Sequence, residues 1–288
     1  MKNKISEKPY INKACLIATM HCKEEAIAPA FFHFLGLKIV GAKIDTDQLG
    51  TFTGEIERKG SPLTCVREKC ELAMKDGKFD IGIASEGSFG PHPFMPFVAS
   101  DHEILYFIDR EKGFHLYQTL LSSKTNYCRE AIFDPQRLKA FCDQVLFPSH
   151  GLIVRPNESS TKAVIFKGIQ TWDRLEEAFV QCCSLSADGK ASVETDMRAH
   201  MNPTRMGVIK ELADSFAKRL ATPCPLCNNP GFGIVETQKG LECEMCGSET
   251  EMVRSEVFGC PKCSHKEHRP RQDGLTQAEP QYCEFCNP

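Results

Sequence analysis

Four Cys-x-x-Cys pairs crowd the last quarter of the chain: Cys224/Cys227, Cys243/Cys246, Cys260/Cys263 and Cys283/Cys286. Two residues between thiols is the bite that places two thiolates on one tetrahedral ion, and eight thiolates make two complete four-ligand sites. The stretch from Cys224 to Cys246 reads C-x2-C-x15-C-x2-C, and that from Cys260 to Cys286 reads C-x2-C-x19-C-x2-C; both are zinc-ribbon spacings. Cys224-Pro225-Leu226-Cys227 and Cys260-Pro261-Lys262-Cys263 share a start, so the two stretches read as tandem ribbons, each with a hairpin between its pairs. A cross-braced pairing, first pair with third and second with fourth, also satisfies the spacing; the shorter sequential loops are favoured by closure entropy, though only slightly. With every position filled by cysteine, neither ion keeps an open coordination site, and the two zinc ions are expected to be structural. His265 and His268 read as solvated loop residues between the third and fourth pairs.

The cysteine count also bears on compartment. Sixteen cysteines in a secreted chain would suggest disulfides, but the N-terminus MKNKISEKPYINK lacks the apolar core of a signal peptide. Cysteines paired at metal spacing then point to zinc in a reducing cytoplasm. The greasiest stretch, 26–42, is interrupted by Pro29, His33, Gly36 and Lys38, so no membrane span is expected. From Ala221 onward there are six Lys/Arg and ten Asp/Glu. A tail that binds nucleic acid through phosphates should be basic, and this one is acidic.

Ahead of the cysteines, residues 1–12 read as a leader and 13–200 as an α/β body. Ala14–Thr19 is a buried-strand run, Lys23–Leu35 a helix with Pro29 inside it, and Leu37–Gly41 a short strand. Ser61-Pro62 opens a helix carrying Leu63, Val66, Cys70 and Met74, and Phe79–Ala84 is the next strand. Strand–helix–strand order at this spacing predicts a mixed sheet with helical crossovers. Glu103–Ile108 and Phe114–Leu121 read as a hairpin, Asp134-Pro135 and Thr171 each start a helix, and 152–155 and 163–166 read as strands. Residues 184–202 read as polar and irregular. Asn202-Pro203 opens an amphipathic helix over 201–222 whose stripe, Met206, Ile209, Leu212, Ala213, Phe216 and Leu220, is expected to dock on the body and carry residues 223–288 as an arm.

Two polar groupings are candidates for chemistry. Ser85-Glu86-Gly87 follows the Phe79–Ala84 strand, and open α/β sheets bind ligands at strand ends. Arg198, His200 and Arg205 stand just before or within the first turn of the 201–222 helix and could hold an anion.

Residues 13–120 resemble the inosine/xanthosine triphosphate pyrophosphatase-like superfamily. The resemblance rests on ACLIAT, TMHCKE, SPLTCVREKCELA and FDIGIASEGSFG, which follow that superfamily's run of strand, phosphate turn, lysine-bearing helix and acid-ended strand. It implies that Thr19 and Lys23 sit at the phosphate turn, with His21 where the superfamily has Asn and the turn one residue shorter. It further implies that Lys69 faces a phosphate, and that Glu86 binds magnesium or activates water with help from Glu24 or Glu25. Along its whole length the chain is similar to an uncharacterised bacterial family of unknown function that joins such a block to C-terminal zinc ribbons. Two functions are therefore expected. One is a magnesium-dependent pyrophosphohydrolase of non-standard nucleoside triphosphates, or a nucleotide-binding protein. The other is a non-enzymatic zinc-ribbon module that docks a protein partner beside a degenerate ligand-binding domain.

Overall fold

The computed structural model describes residues 8–19, 21–42, 60–158 and 164–288. The chain opens with β1 (Ala14–Ala18), α1 (Glu24–Leu35), β2 (Lys38–Ala42) and α2 (Pro62–Ala73). A long hairpin follows, β3 (Ile81–His92) and β4 (Met95–Asp109), and then β5 (Phe114–Ser122). These strands form one mixed sheet in the order β2-β1-β3-β4-β5, parallel across β2-β1-β3 and antiparallel beyond. Local chemistry sets the helix ends. Ser61 accepts from Thr64 N ahead of Pro62, and Gly36, at φ 72°, takes the left-handed turn that closes α1. The helix runs through Pro29.

Period-two alternation divides the sheet into two faces. Cys15, Ile17, Ile81, Ile83, Leu105 and Phe107 pack with α1 and the long α5 (Pro203–Ala221). On the opposite face, Ala84, Ile104 and Tyr106 pack with Val66, Cys70 and Met74 of α2. The expected stripe on α5 is the buried one: Ile209, Leu212, Ala213, Phe216 and Leu220 all lie in the first of these cores. Tyr10 is buried there too; its ring packs on Phe107 and its hydroxyl donates to Asp109 at 3.0 Å. Residues 1–7 of the expected leader and Met20 of the expected turn lie outside the described residues.

Three expectations are corrected. The strand expected to stop at Ala84 continues to His92, so Ser85, Glu86 and Gly87 lie within a paired strand and not in an open loop. Its partner β4 is longer still, and ladder bonding carries β3 through residues whose polarity reads as loop. Pro93-Phe94 forms the turn of that hairpin. Residues 191–195, expected to be irregular, form β9 (Ala191–Thr195), buried at every position. It lies inside a second, antiparallel sheet ordered β6-β9-β7-β8, with β6 (Arg129–Ile132), β7 (Leu152–Pro156) and β8 (Phe166–Ile169). Ala163, the expected start of β8, lies outside the described residues. Helices α3 (Pro135–Gln144) and α4 (Trp172–Leu185) cover one face of this sheet around Phe141, Leu152, Val154, Leu175 and Val193.

The third correction concerns the cysteines. The C-terminal sheet is β10 (Gly233–Lys239), β11 (Val253–Gly259) and β12 (Lys266–Pro270), antiparallel in that order. Gly233 pairs with Gly259, which brings the first Cys-x-x-Cys beside the third. At the other end Lys239 pairs with Val253, and the Cys243–Ala278 bridge draws the fourth pair to the second. The metal groups are therefore Cys224/Cys227/Cys260/Cys263 and Cys243/Cys246/Cys283/Cys286: interleaved, not tandem. The hairpin spans the second pair instead of lying inside each repeat. The entropic preference for sequential loops is slight, and a paired sheet outweighs it.

Candidate functional site

Each cysteine group is shaped for a tetrahedral ion. Sulfur–sulfur separations are 3.8 Å for Cys224–Cys263 and Cys243–Cys286, and 3.6 Å for Cys227–Cys260 and Cys246–Cys283. A tetrahedron with zinc–sulfur arms of about 2.3 Å has edges of about 3.8 Å. The thiols do not ionise alike on their own. A hydrogen bond from Ser248 draws Cys246 down to about 6, while the hydrogen bond to Cys246, then burial, holds Cys286 up to about 12. A divalent cation supplies the charge that lets four thiolates share one centre. The eight cysteines can thus hold two metal ions, and all-sulfur chemistry suits zinc. His265 bonds Glu267 at 2.9 Å and stacks on Phe232; it belongs to neither group.

The polar residues of the body meet at the carboxyl end of β1, where its parallel ladder with β3 stops at Ala84 and the middle of β3 faces the N-terminus of α5. Lys23 stands at the start of α1 and is buried. Its ammonium donates to Ser85 Oγ at 3.2 Å and to Ser85 O at 3.4 Å. Burial, then the neighbouring Arg205 guanidinium, pulls it down to about 8. Ser85 shares its face with Gly87 and Phe89 of β3 and with Asp101 and Glu103 of β4. Arg205, in the first turn of α5, donates through Nε to Glu103 at 2.6 Å and through Nη1 to the Met197 carbonyl. Its guanidinium lies 4.9 Å from the Phe89 ring centroid. Asn202 caps the helix by accepting from Arg205 N and donates to Asn126, so this corner is also the seam with the second sheet.

Asp101 and Glu103 are fully buried. Both Asp101 oxygens and Glu103 Oε2 have no hydrogen-bond donor among the described residues. Burial, then the Glu103 carboxylate, raises Asp101 to about 8, so Asp101 holds its proton at neutral pH. Sequence reasoning passed over both acids. The available signal was their spacing: two acids at i and i+2 in the greasy run 99–109 must share one face of a strand.

The expected site residues fall into three groups. Lys23, Ser85, Gly87 and Arg205 come together on the α1/α5 face. Lys69 of α2 is ion-paired with Glu86 on the opposite face of the same strand. The third group is the rim. His21 and His200 stack at 5.0 Å, and Arg198 is ion-paired with Asp196. Burial, then Lys23, holds His21 down to about 4, and burial with Arg198 lowers His200. Thr19 accepts from His21 N at 3.2 Å, and Glu24 lies in the first turn of α1 with its Oε2 buried and without a hydrogen-bond partner among the described residues.

Among the described residues no helix is long and apolar enough to cross a membrane. No curated protein matches the chain. A family profile matches residues 69–288, from Lys69 through the second sheet and α5 to the last cysteine pair, and the chain belongs to that family, described as Domain of unknown function (DUF6671).

Proposed function

We propose that this is a zinc-stabilised protein whose α/β body binds a phosphate-bearing small molecule, in the first instance a nucleotide, at the carboxyl end of β1, where its parallel ladder with β3 stops. The observation that carries this reading is Lys23. It is a buried ammonium at the start of a helix, and its hydrogen bonds among the described residues go only to Ser85. A cation in that position favours an anion for the same reason that a helix N-terminus does. The crevice at the carboxyl ends of parallel strands, where crossovers leave on opposite faces, is where sheets of this kind take ligands. Here α1 leaves on one face and α2 on the other.

Magnesium suits the same place through Glu24, because one carboxylate together with ligand phosphates is a common way to hold that ion. Glu86 is held by Lys69, and its role in this reading is to keep that lysine aligned over the central strand β3. Hydrolysis of a nucleoside triphosphate is the reaction such a site would perform, with the metal offsetting charge on the phosphates.

The test is a thermal-shift panel of nucleotides and inorganic phosphates, with and without magnesium, on the zinc-loaded chain and on Lys23→Met. A nucleotide-dependent rise in Tm in the wild type that Lys23→Met abolishes is the expected result. Equal shifts in both proteins, or none in either, would overturn it. Pyrophosphate or phosphate release by any nucleotide that shifts Tm then separates hydrolysis from binding.

A further inference from the structure

The C-terminal module is electrically divided. Residues 240–251 and 272–288 build the lobe around the Cys243/Cys246/Cys283/Cys286 group, and they hold seven Asp/Glu and no Lys, Arg or His. The rest of the module, 221–239 and 252–271, holds six Lys/Arg and three Asp/Glu. A tetrathiolate centre loaded with a divalent ion adds a formal charge of about −2 to each side, so the difference between them stands. Three of the acids are paired across the boundary: Glu249 with Arg254, Glu251 with Lys239 and Asp273 with Arg271. Glu242, Glu244 and Glu284 are exposed. They form no ion pair among the described residues.

Between those acids stand two large apolar side chains. Met245 is 72% exposed and Phe285 is 78% exposed. Each occupies the third position of a Cys-x-x-Cys knuckle at the same centre. The thiols of a knuckle turn inward to the ion, which leaves the residues between them outward. The corresponding positions at the other centre are Leu226 and Lys262, so only the acidic lobe presents two apolar knuckles. Tyr282, next to the fourth pair, is also exposed. Met and aromatic residues are enriched in the cores of protein interfaces, and charge around them sets orientation and on-rate. Nucleic acid and anionic membrane surfaces are repelled by such a lobe.

We infer that this lobe docks a basic protein segment with apolar side chains. Its Lys or Arg residues would answer Glu242, Glu244 and Glu284, and a hydrophobic residue would seat against Met245 and Phe285. This inference does not depend on the ligand assigned to the body.

Fluorescence anisotropy on the zinc-loaded full chain tests it, using a short labelled peptide of alternating Lys and Leu. A Lys/Gln peptide removes the apolar part, and a Glu/Leu peptide reverses the charge. Binding of Lys/Leu should exceed that of either control by about tenfold or more. The double variant Met245→Ser/Phe285→Ser should lose the apolar preference, and Glu244→Lys/Glu284→Lys should lose the charge preference. Leu226→Ser, at the other centre, should bind as the wild type does. These positions are exposed and are not ligands, so each variant is expected to keep both ions, which zinc content verifies. Equal binding of Lys/Gln and Lys/Leu, or unchanged binding by both double variants, overturns the assignment.

Discussion

Gly87 shows how one missing side chain shapes the polar corner of the body. A methyl group at this position would overlap Arg205 Nη2 and Glu103 Oε1, so the buried ion pair occupies the space that any other residue would fill. Gly87→Ala should therefore displace the pair and cost about 3 kcal/mol, the scale of breaking a buried ion pair, read as a fall in the midpoint of urea unfolding. Retained stability would mean that Arg205 relocates at little cost. His21 supplies a pH-dependent counterpart. Its folded pKa lies near 4, below the ordinary histidine value of about 6.5. The unfolded chain thus takes up the proton first. Stability from the neutral, stacked ring is complete above about pH 6.5 and is lost as pH falls toward 4. Tm of the wild type should drop more steeply between neutral pH and pH 5 than Tm of His21→Asn; parallel slopes would remove His21 from the acid response.

Among the elements, β3 and the β10–β11 hairpin govern where chemistry sits. β3 carries Glu86 to one face and Ser85 and Gly87 to the other. Residues adjacent in the chain thereby serve two separate groups, the Lys69–Glu86 pair and the Lys23–Arg205 corner. The hairpin register does the same for the thiols, and it makes a prediction about pairs of substitutions. Cys224→Ser and Cys260→Ser belong to one centre, so the double variant should lose the same single ion as either variant alone. Cys224→Ser with Cys243→Ser should lose both. Zinc content per chain decides it, and the opposite pattern would restore the sequential pairing. Asn202 offers a gentler probe. Its side chain accepts from Arg205 N, and Asn202→Ala should cost about 1 kcal/mol by loss of the cap, read by chemical denaturation.

Taken together, the molecule joins two sheets and a metal-built module around α5. The N-terminus of that helix holds the Arg205 corner at the seam, and its body packs against α1. Near its C-terminus Arg219 lies against Gly233, and Leu116 of β5 approaches Gly231. The module itself has few buried apolar residues, Phe232, Leu241, Val257 and Ala278 among them. A core that small depends on its ions. Chelation should therefore remove both metals and abolish amide protection in residues 223–288, while the strands of the first sheet keep theirs. Hydrogen exchange followed by mass spectrometry reads both regions at once. Loss of protection throughout the chain would show that the module supports the body rather than resting on it.

Short-range patterns carried much of this in plain view. The thiol spacing announced two closed metal groups, Ser61-Pro62, Asp134-Pro135 and Asn202-Pro203 announced helix starts, and the stripe on α5 announced its buried face. Each of these depends on neighbours within one or two turns of chain. Partner choice over long separations was not legible in the same way. Which cysteine pair joins which rests on closure entropies that barely differ, and the register of Gly233 with Gly259 settles it. The length of β3 and the burial of β9 were hidden because those strands carry polar residues toward other polar groups, Glu86 to Lys69 and Glu194 to Arg155. Asp101 and Glu103 gain their meaning from Arg205, about a hundred residues away, because a buried charge is defined by what folding brings against it.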